Sequence, residues 1–353
     1  MSHRKAAVLL AKCVLATALL FWLVQTKRLD LEHLVQIRFG WLTIALVLCQ
    51  VGMILLPLVR WYLLTRAHNL DLSIVRVMHM SLVGLFTTVF VPAGLGLDGA
   101  RLYFVSRQAR HRIPDILSTL IVDRVLGLVG LLLLSSVFCG LLLLRTSNAL
   151  LGRLLIFGLG LMLALSAAVA LLASKRAESL LATLGRIRAV AEVPRALQAY
   201  RHHKLILAWA FLLAILGHLS AFAAAYFAFR SLSVPARVFD VFAITPMINL
   251  AGIIPLTPLG LGVSDSIAAT LYPLVGLSGG AEATMLLRCV TMILALACGL
   301  AFLIPVPQLT PGDEALPEVT EAGSAPLPSQ TPSPPGISPG DSYPYLACPE
   351  GGP

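Results

Sequence analysis

Long apolar runs alternate with short, arginine-bearing polar connections along most of the chain. The runs predict helices at roughly 6–24, 41–64, 76–92, 114–144, 154–173, 205–229, 240–256 and 280–304. A helix needs about 20 apolar residues to cross a bilayer, and several of these windows supply them. The runs are continuous and Leu-rich rather than alternating, which excludes a membrane β-barrel. The run at 6–24 follows Met-Ser-His-Arg-Lys as a signal peptide would. It is too long for that and lacks a small-x-small cleavage site, so a retained first helix is expected.

Two shorter apolar stretches, 97–108 and 263–276, follow the same punctuation. The first comes after Pro92-Ala93-Gly94-Leu95-Gly96 and carries Asp98; the second comes after Pro258-Leu259-Gly260-Leu261-Gly262 and carries Asp265. Proline removes a backbone donor and glycine admits conformations closed to other residues, so together they open a helix. With Pro255 just upstream, the second break is doubly marked. The helix starts at 41 and 205, 76 and 240, and 114 and 280 are offset by 164 to 166 residues, as are Gly94 and Gly260. Only the starts at 6 and 154 depart from that offset, and a longer loop at about 174–204 accounts for it. The expected fold is therefore all-α: a polytopic helical membrane protein of about eight membrane elements. These form two inverted repeats (about 1–148 and 149–305), each with a broken or re-entrant segment.

Composition agrees. The 353 residues are 58% hydrophobic and 12% charged, where a soluble domain carries about 25% charged residues. Residues 306–353 hold six acids and no Lys or Arg, and their Pro- and Ser-rich composition predicts a disordered tail. The rest of the chain has 26 basic against 11 acidic residues, a balance of +15. Loops rich in Lys and Arg belong on the cytoplasmic side. That rule places 174–204, the arginines at 101–112, and Arg60, Arg66 and Arg76 between the second and third helices on that side, together with both termini. No soluble basic domain is present to hold nucleic acid. The six cysteines stand alone, with no metal or disulfide spacing, so neither a metal nor a cofactor is expected.

Ionisable residues inside spans mark partners or pathways. Asp98 and Arg101 are spaced to share a helix face. Asp123 and Arg124 lie about ten residues into the fourth long run, beside Gly127, and Arg288 follows Glu282 at the repeat-equivalent place. Arg101, Arg124 and Arg288 are the expected binders of an anionic head group, with Asp98, Asp123 and Asp265 as counter-ions or proton carriers. The alternative is that these are internal ion pairs that fix packing, and that the Pro-Gly segments are ordinary turns.

The runs P-A-G-L-G-L-D-G-A-R, L-I-V-D-R-V-L-G-L-V-G, P-L-T-P-L-G-L-G-V-S-D and L-L-R resemble the membrane region of lysylphosphatidylglycerol synthases, a flippase-like family, over nearly the whole chain to about residue 305. The family's acid and arginine after the first break match Asp98 and Arg101. Its acid-Arg-x-x-Gly pattern matches Asp123, Arg124 and Gly127, and its second break matches Pro258, Gly260, Gly262 and Asp265. The resemblance implies a translocase that moves an anionic phospholipid, glycolipid or polyprenyl-phosphate-linked lipid in the bacterial cytoplasmic membrane, with a separate lipid-modifying enzyme as a candidate partner. Full synthases also carry a soluble aminoacyl-transfer domain; only the tail follows residue 305 here, so lysyl transfer is not expected. A membrane-embedded transferase acting on lipid-linked substrates, and a non-transporting scaffold, are the alternatives.

Overall fold

The computed structural model describes residues 40–68, 70, 72–89, 95–108, 112–145, 149–172, 200–252 and 261–303, with Gln25. Outside them lie the expected first helix at 6–24, the break residues Pro92, Gly94, Pro255, Pro258 and Gly260, the basic loop up to residue 199, and the tail. The described residues form nine α-helices and no strand: α1 (Trp41–Arg66), α2 (Ile74–Thr88), α3 (Leu95–Gln108), α4 (Ile113–Leu143), α5 (Ala149–Leu172), α6 (Lys204–Ser231), α7 (Val238–Gly252), α8 (Val263–Leu271) and α9 (Gly280–Cys298). Helical turns at Tyr200–His202, Tyr272–Val275 and Gly299–Leu303 extend α6, α8 and α9. Four helices, α1, α4, α6 and α9 with its extension, are long and apolar enough to cross a membrane. The chain is a polytopic helical membrane protein.

The central pair is α1 and α6, and they run antiparallel. Trp41 meets Phe227 at one end, the Ser220 hydroxyl donates to the Cys49 carbonyl (2.7 Å), and the Tyr200 hydroxyl donates to the Leu64 carbonyl (3.1 Å) at the other. Small residues set this closeness, as in helix pairs within lipid. Gly217 lies against Leu56 and Pro57, and a Cβ on Gly52 would come within 2.6 Å of the Ser220 hydroxyl. The end with Leu64 and Tyr200, called proximal here, also holds the start of α4, where Arg112 donates to the His68 carbonyl (3.4 Å). At the opposite, distal end the Cys139 thiol meets the Leu151 carbonyl between α4 and α5, and Phe138 of α4 meets Phe239 of α7.

The remaining short helices make two hairpins. In the first, α2 and α3 run antiparallel: Gly96 packs on Thr87 and Thr88, Gly84 on Leu97, Arg101 on Ser81, and the His79 ring on Phe104. In the second, Gly252 of α7 faces Ser264 of α8, and the Thr245 and Tyr272 hydroxyls pair at 3.0 Å. At 1.5 Å per residue, 15-residue α2 and α7 reach about 22 Å, short of the roughly 30 Å hydrocarbon core. Hairpin one starts from the proximal end and hairpin two from the distal end, so their tips point toward each other's side. Helix α9 returns between them. It begins beside Val234 at the distal end, and Gln50 of α1 donates to its Leu287 carbonyl and Thr291 hydroxyl. Its extension then accepts a bond from His79 at the Ala301 carbonyl (2.9 Å).

The observed helices follow the apolar runs closely, with α1 and α9 starting at 41 and 280 as read from the sequence. One assignment needs correction. Arg60 and Arg76 are not in the connection between helices: Arg60 lies inside α1 and Arg76 in the first turn of α2, and both are buried. The apolar run continues through Trp61 to Leu64, so the helix carries Arg60 past the point where a charge would ordinarily mark its end.

The tip of hairpin one depends on glycine. A Cβ on Gly96 would lie 2.7 Å from backbone atoms of Thr87 and Thr88, whereas one on Gly99 would meet nothing within 4 Å. Gly96→Ala should cost about 1–3 kcal/mol through forced backbone displacement. A lowered melting temperature in detergent for Gly96→Ala, with none for Gly99→Ala, is the expected result.

Candidate functional site

The first turns after both breaks place an acid where a helix N-terminus favours it. In α8 the Gly262 amide donates to Asp265 Oδ2 (2.9 Å), and Gly262 has φ 77°, a left-handed conformation that glycine adopts without strain. Asp265 is fully buried, and Arg288 of α9 donates through one terminal nitrogen to both its oxygens at 2.7 and 2.6 Å. In hairpin one, Asp98 sits in the first turn of α3, and Arg124 of α4 donates to its Oδ2 through Nε (2.8 Å) and a terminal nitrogen (2.6 Å). An acid–arginine bond therefore occurs twice, between an acid from the second helix of a hairpin and an arginine from the following span.

The two copies differ in exposure. The Arg288 and Asp265 side chains are 10% and 0% exposed, whereas those of Arg124 and Asp98 are 53% and 19% exposed. The copies also differ in company. Asp123, adjacent to Arg124, turns inward to accept from Arg60 Nε at 2.6 Å, an almost fully buried pair. Arg101 lies between the two acids, 4.0 Å from Asp98 and 3.9 Å from Asp123. Its guanidinium stacks over the Trp61 ring at 4.4 Å and donates to the Ser81 hydroxyl at 3.3 Å. Trp61 is fixed in turn by its indole N–H on the Thr119 hydroxyl (3.2 Å). Gly127 gives the Arg60 guanidinium room, since a Cβ there would lie 3.3 Å from it, and its carbonyl accepts from His218 (2.8 Å). Three arginines against two aspartates leave this cluster one positive charge in excess. Beside it, α1, α2 and α3 line a half-open, almost wholly apolar pocket of about 120 Å³ walled by Met53, Ile54, Pro57, Leu82, Leu85 and Leu97, with Ser81 and Arg101 among its lining residues.

The sequence-level site is thus brought together in two places rather than one. Asp98, Arg101, Asp123 and Arg124 meet in the first, Asp265 and Arg288 in the second. Asp98 and Arg101 do share a face of α3, but the short bonds run elsewhere. Asp98 makes its short bonds to Arg124 instead of Arg101, because the side chains three residues apart stand 4.0 Å from each other while α4 reaches across. Asp123 pairs with Arg60 instead of Arg124, because neighbours on a helix point about 100° apart. Arg60, Trp61 and Ser81 belong to the site and were missed; the apolar run around Arg60 was the available signal. Among the described residues no group of three or more His, Cys, Asp or Glu is placed to hold a metal ion.

A second polar cluster closes the proximal end. His68 Nε2 lies 2.8 Å from the Ser118 hydroxyl and Nδ1 3.5 Å from Asp115, which Arg112 also pairs at 3.2 Å. The Tyr200 ring packs edge-on to His68 at 4.9 Å. Burial pushes the His68 pKa down, opposed by Asp115 and reinforced by Arg112 and His203. Burial raises that of the Tyr200 phenol, which remains a donor.

Fold and site together define a multi-pass membrane protein with charged groups held at depth by short, opposed hairpins. The family model described as the lysylphosphatidylglycerol synthase TM region matches residues 9–299, and the chain belongs to that family. No curated protein and no solved structure matches it.

Two outcomes follow from this geometry. Asp123→Ala leaves Arg60 buried without its carboxylate and should destabilise the fold by about 3–5 kcal/mol, whereas Arg124→Ala, at an exposed position, should leave the detergent melting temperature nearly unchanged. For His68, the folded pKa lies below the unfolded value, so its contribution is complete above about pH 6.5 and is lost as pH falls toward the lowered pKa. Hydrogen exchange at 64–68 and 200–203, corrected for intrinsic rates, should therefore quicken between pH 7.5 and 5.5, and His68→Gln should remove that dependence.

Proposed function

We propose that the chain is a flippase-type lipid translocase for a lipid with an anionic or polar, phosphate-bearing head group, working in the cytoplasmic membrane. The observation that carries this reading is the exposed Asp98–Arg124 pair, deep along a spanning helix and backed by a cluster with one excess positive charge. An ionised group half-exposed at membrane depth is costly unless it meets water or a polar partner, and a lipid head group is such a partner. The family supports a lipid-related membrane role.

The architecture is read as an inverted repeat. α1 and α6 are sequence-equivalent and antiparallel; α2–α3 and α7–α8 are equivalent hairpins that start from opposite ends; Asp98–Arg124 and Asp265–Arg288 are equivalent bonds. Two opposed, broken hairpins with a site at repeat-related positions suit alternating access. In this reading the hairpins are re-entrant, and the proximal end faces the cytoplasm because it gathers Arg66, Arg107 and Arg112, and because the sequence leading into Tyr200 is rich in Lys and Arg. Arg124 would meet the phosphate while acyl or prenyl chains stay in the bilayer. The second pair, enclosed on both sides, would hold hairpin two in place as its mate exchanges partners.

The reading is tested in proteoliposomes carrying a fluorescent phosphatidylglycerol. Arg124→Ala should abolish translocation while the protein stays folded. Translocation at the unaltered rate would reject the assignment.

A further inference from the structure

Arg101 is the least compensated charge in the cluster. Its side chain is 1% exposed, yet both carboxylates stand at 3.9 and 4.0 Å, beyond hydrogen-bonding distance. Of its five N–H donors, one terminal nitrogen reaches the Ser81 hydroxyl at a long 3.3 Å, and the buried Nε has no hydrogen-bond partner. Arg60, Arg124 and Arg288 each spend donors on a carboxylate at 2.6 to 2.8 Å. A buried donor left unmade costs the full desolvation of that group, so the fold holds Arg101 in a state that an added anion would relieve. The adjoining pocket gives such an anion room. Its volume of about 120 Å³ far exceeds the roughly 10–15 Å³ that admits one water, and Arg101 and Ser81 supply the small polar share of walls that are otherwise apolar.

We propose that Arg101 is an inner binding residue for the phosphate ester of a membrane lipid, distinct from the exposed contact at Arg124, with Asp98 as the carboxylate that the phosphate displaces. This rests on the lipid-translocation reading above and adds an ordered path to it. Asp98 bridges the two arginines: its Oδ2 is held by Arg124, and its Oδ1 faces Arg101. A phosphate that first meets Arg124 loosens that carboxylate, and the planar guanidinium of Arg101 then offers a fork suited to phosphate oxygens. The apolar walls accept the first methylenes beside the phosphate, which free phosphate does not have. Trp61, under the guanidinium, reports the event, since drawing Arg101 onto an anion changes the cation–π contact.

The test uses the full chain with Trp22, Trp41 and Trp209 replaced by Phe, leaving Trp61 as the one indole. Dioctanoyl phosphatidylglycerol, dioctanoylglycerol and sodium phosphate are titrated separately in detergent while Trp61 emission is read. The lipid phosphate should shift the emission saturably, and dioctanoylglycerol should not. Arg101→Lys should weaken the binding roughly tenfold by removing the fork. Should that variant fail to fold, Asp98→Asn carries the test: removing the competing carboxylate should tighten binding several-fold. A response to sodium phosphate at matched concentrations, equal to that of the lipid, would overturn the lipid as source. An unmoved Trp61 with every probe, or binding unaltered in Asp98→Asn, would overturn the inner site. If Trp61 stays unmoved while proteoliposomes still translocate lipid, this proposal fails and the transport reading stands; saturable binding without translocation gives the reverse.

Discussion

Every charge placed within the spans must find a countercharge, and that constraint organises this molecule. Arg60 takes Asp123, Arg124 takes Asp98, and Arg288 takes Asp265, each at 2.6 to 2.8 Å. These bonds tie α1 to α4, hairpin one to α4, and hairpin two to α9. Lipid tails compete with apolar packing between the short helices, so the buried pairs at Asp123 and Asp265 fix position where packing alone discriminates little. Breaking either buried pair, Arg60–Asp123 or Arg288–Asp265, leaves a buried charge behind, so these pairs specify position even where their net contribution to stability is small.

The acid–arginine bond occurs in both halves of the chain. The acid of each pair sits in the first turn after a Pro-Gly break, where helix amides favour a carboxylate, and the arginine comes from the following span. The second copy is sealed, its acid also held by the Gly262 amide. The first is open, and the Arg60–Asp123 pair and Arg101 stand beside it. The proximal cluster of His68, Asp115, Ser118 and Tyr200 adds a hold between the ends of α1, α4 and α6.

Much of this was legible in the sequence because apolar length and the positions of proline, glycine and charge are local signals. The starts of the described helices followed from them closely, and so did the placement of Asp98, Arg101, Asp123, Arg124, Asp265 and Arg288 on those helices; Arg60 did not. Partner choice did not, since it depends on which way a side chain turns. Asp123 and Arg124 are neighbours in sequence, but α4 sends one inward to Arg60 and the other outward to Asp98. Arg60 itself was hidden by the assumption that an arginine near the end of an apolar run marks a loop. His68 with Ser118, 50 residues apart, and Arg101 with Trp61 meet only through tertiary packing. No spacing rule brings them together.

The central claim is that the first acid–arginine pair receives a lipid head group and the second does not. Electron cryomicroscopy of the full chain in phosphatidylglycerol nanodiscs tests it most directly. The account predicts phosphate density within hydrogen-bonding distance of Arg124 or Arg101, with the Asp265–Arg288 pair unaltered. Phosphate density at Arg288, or acyl chains packed over an Arg124 still bonded to Asp98, would contradict it.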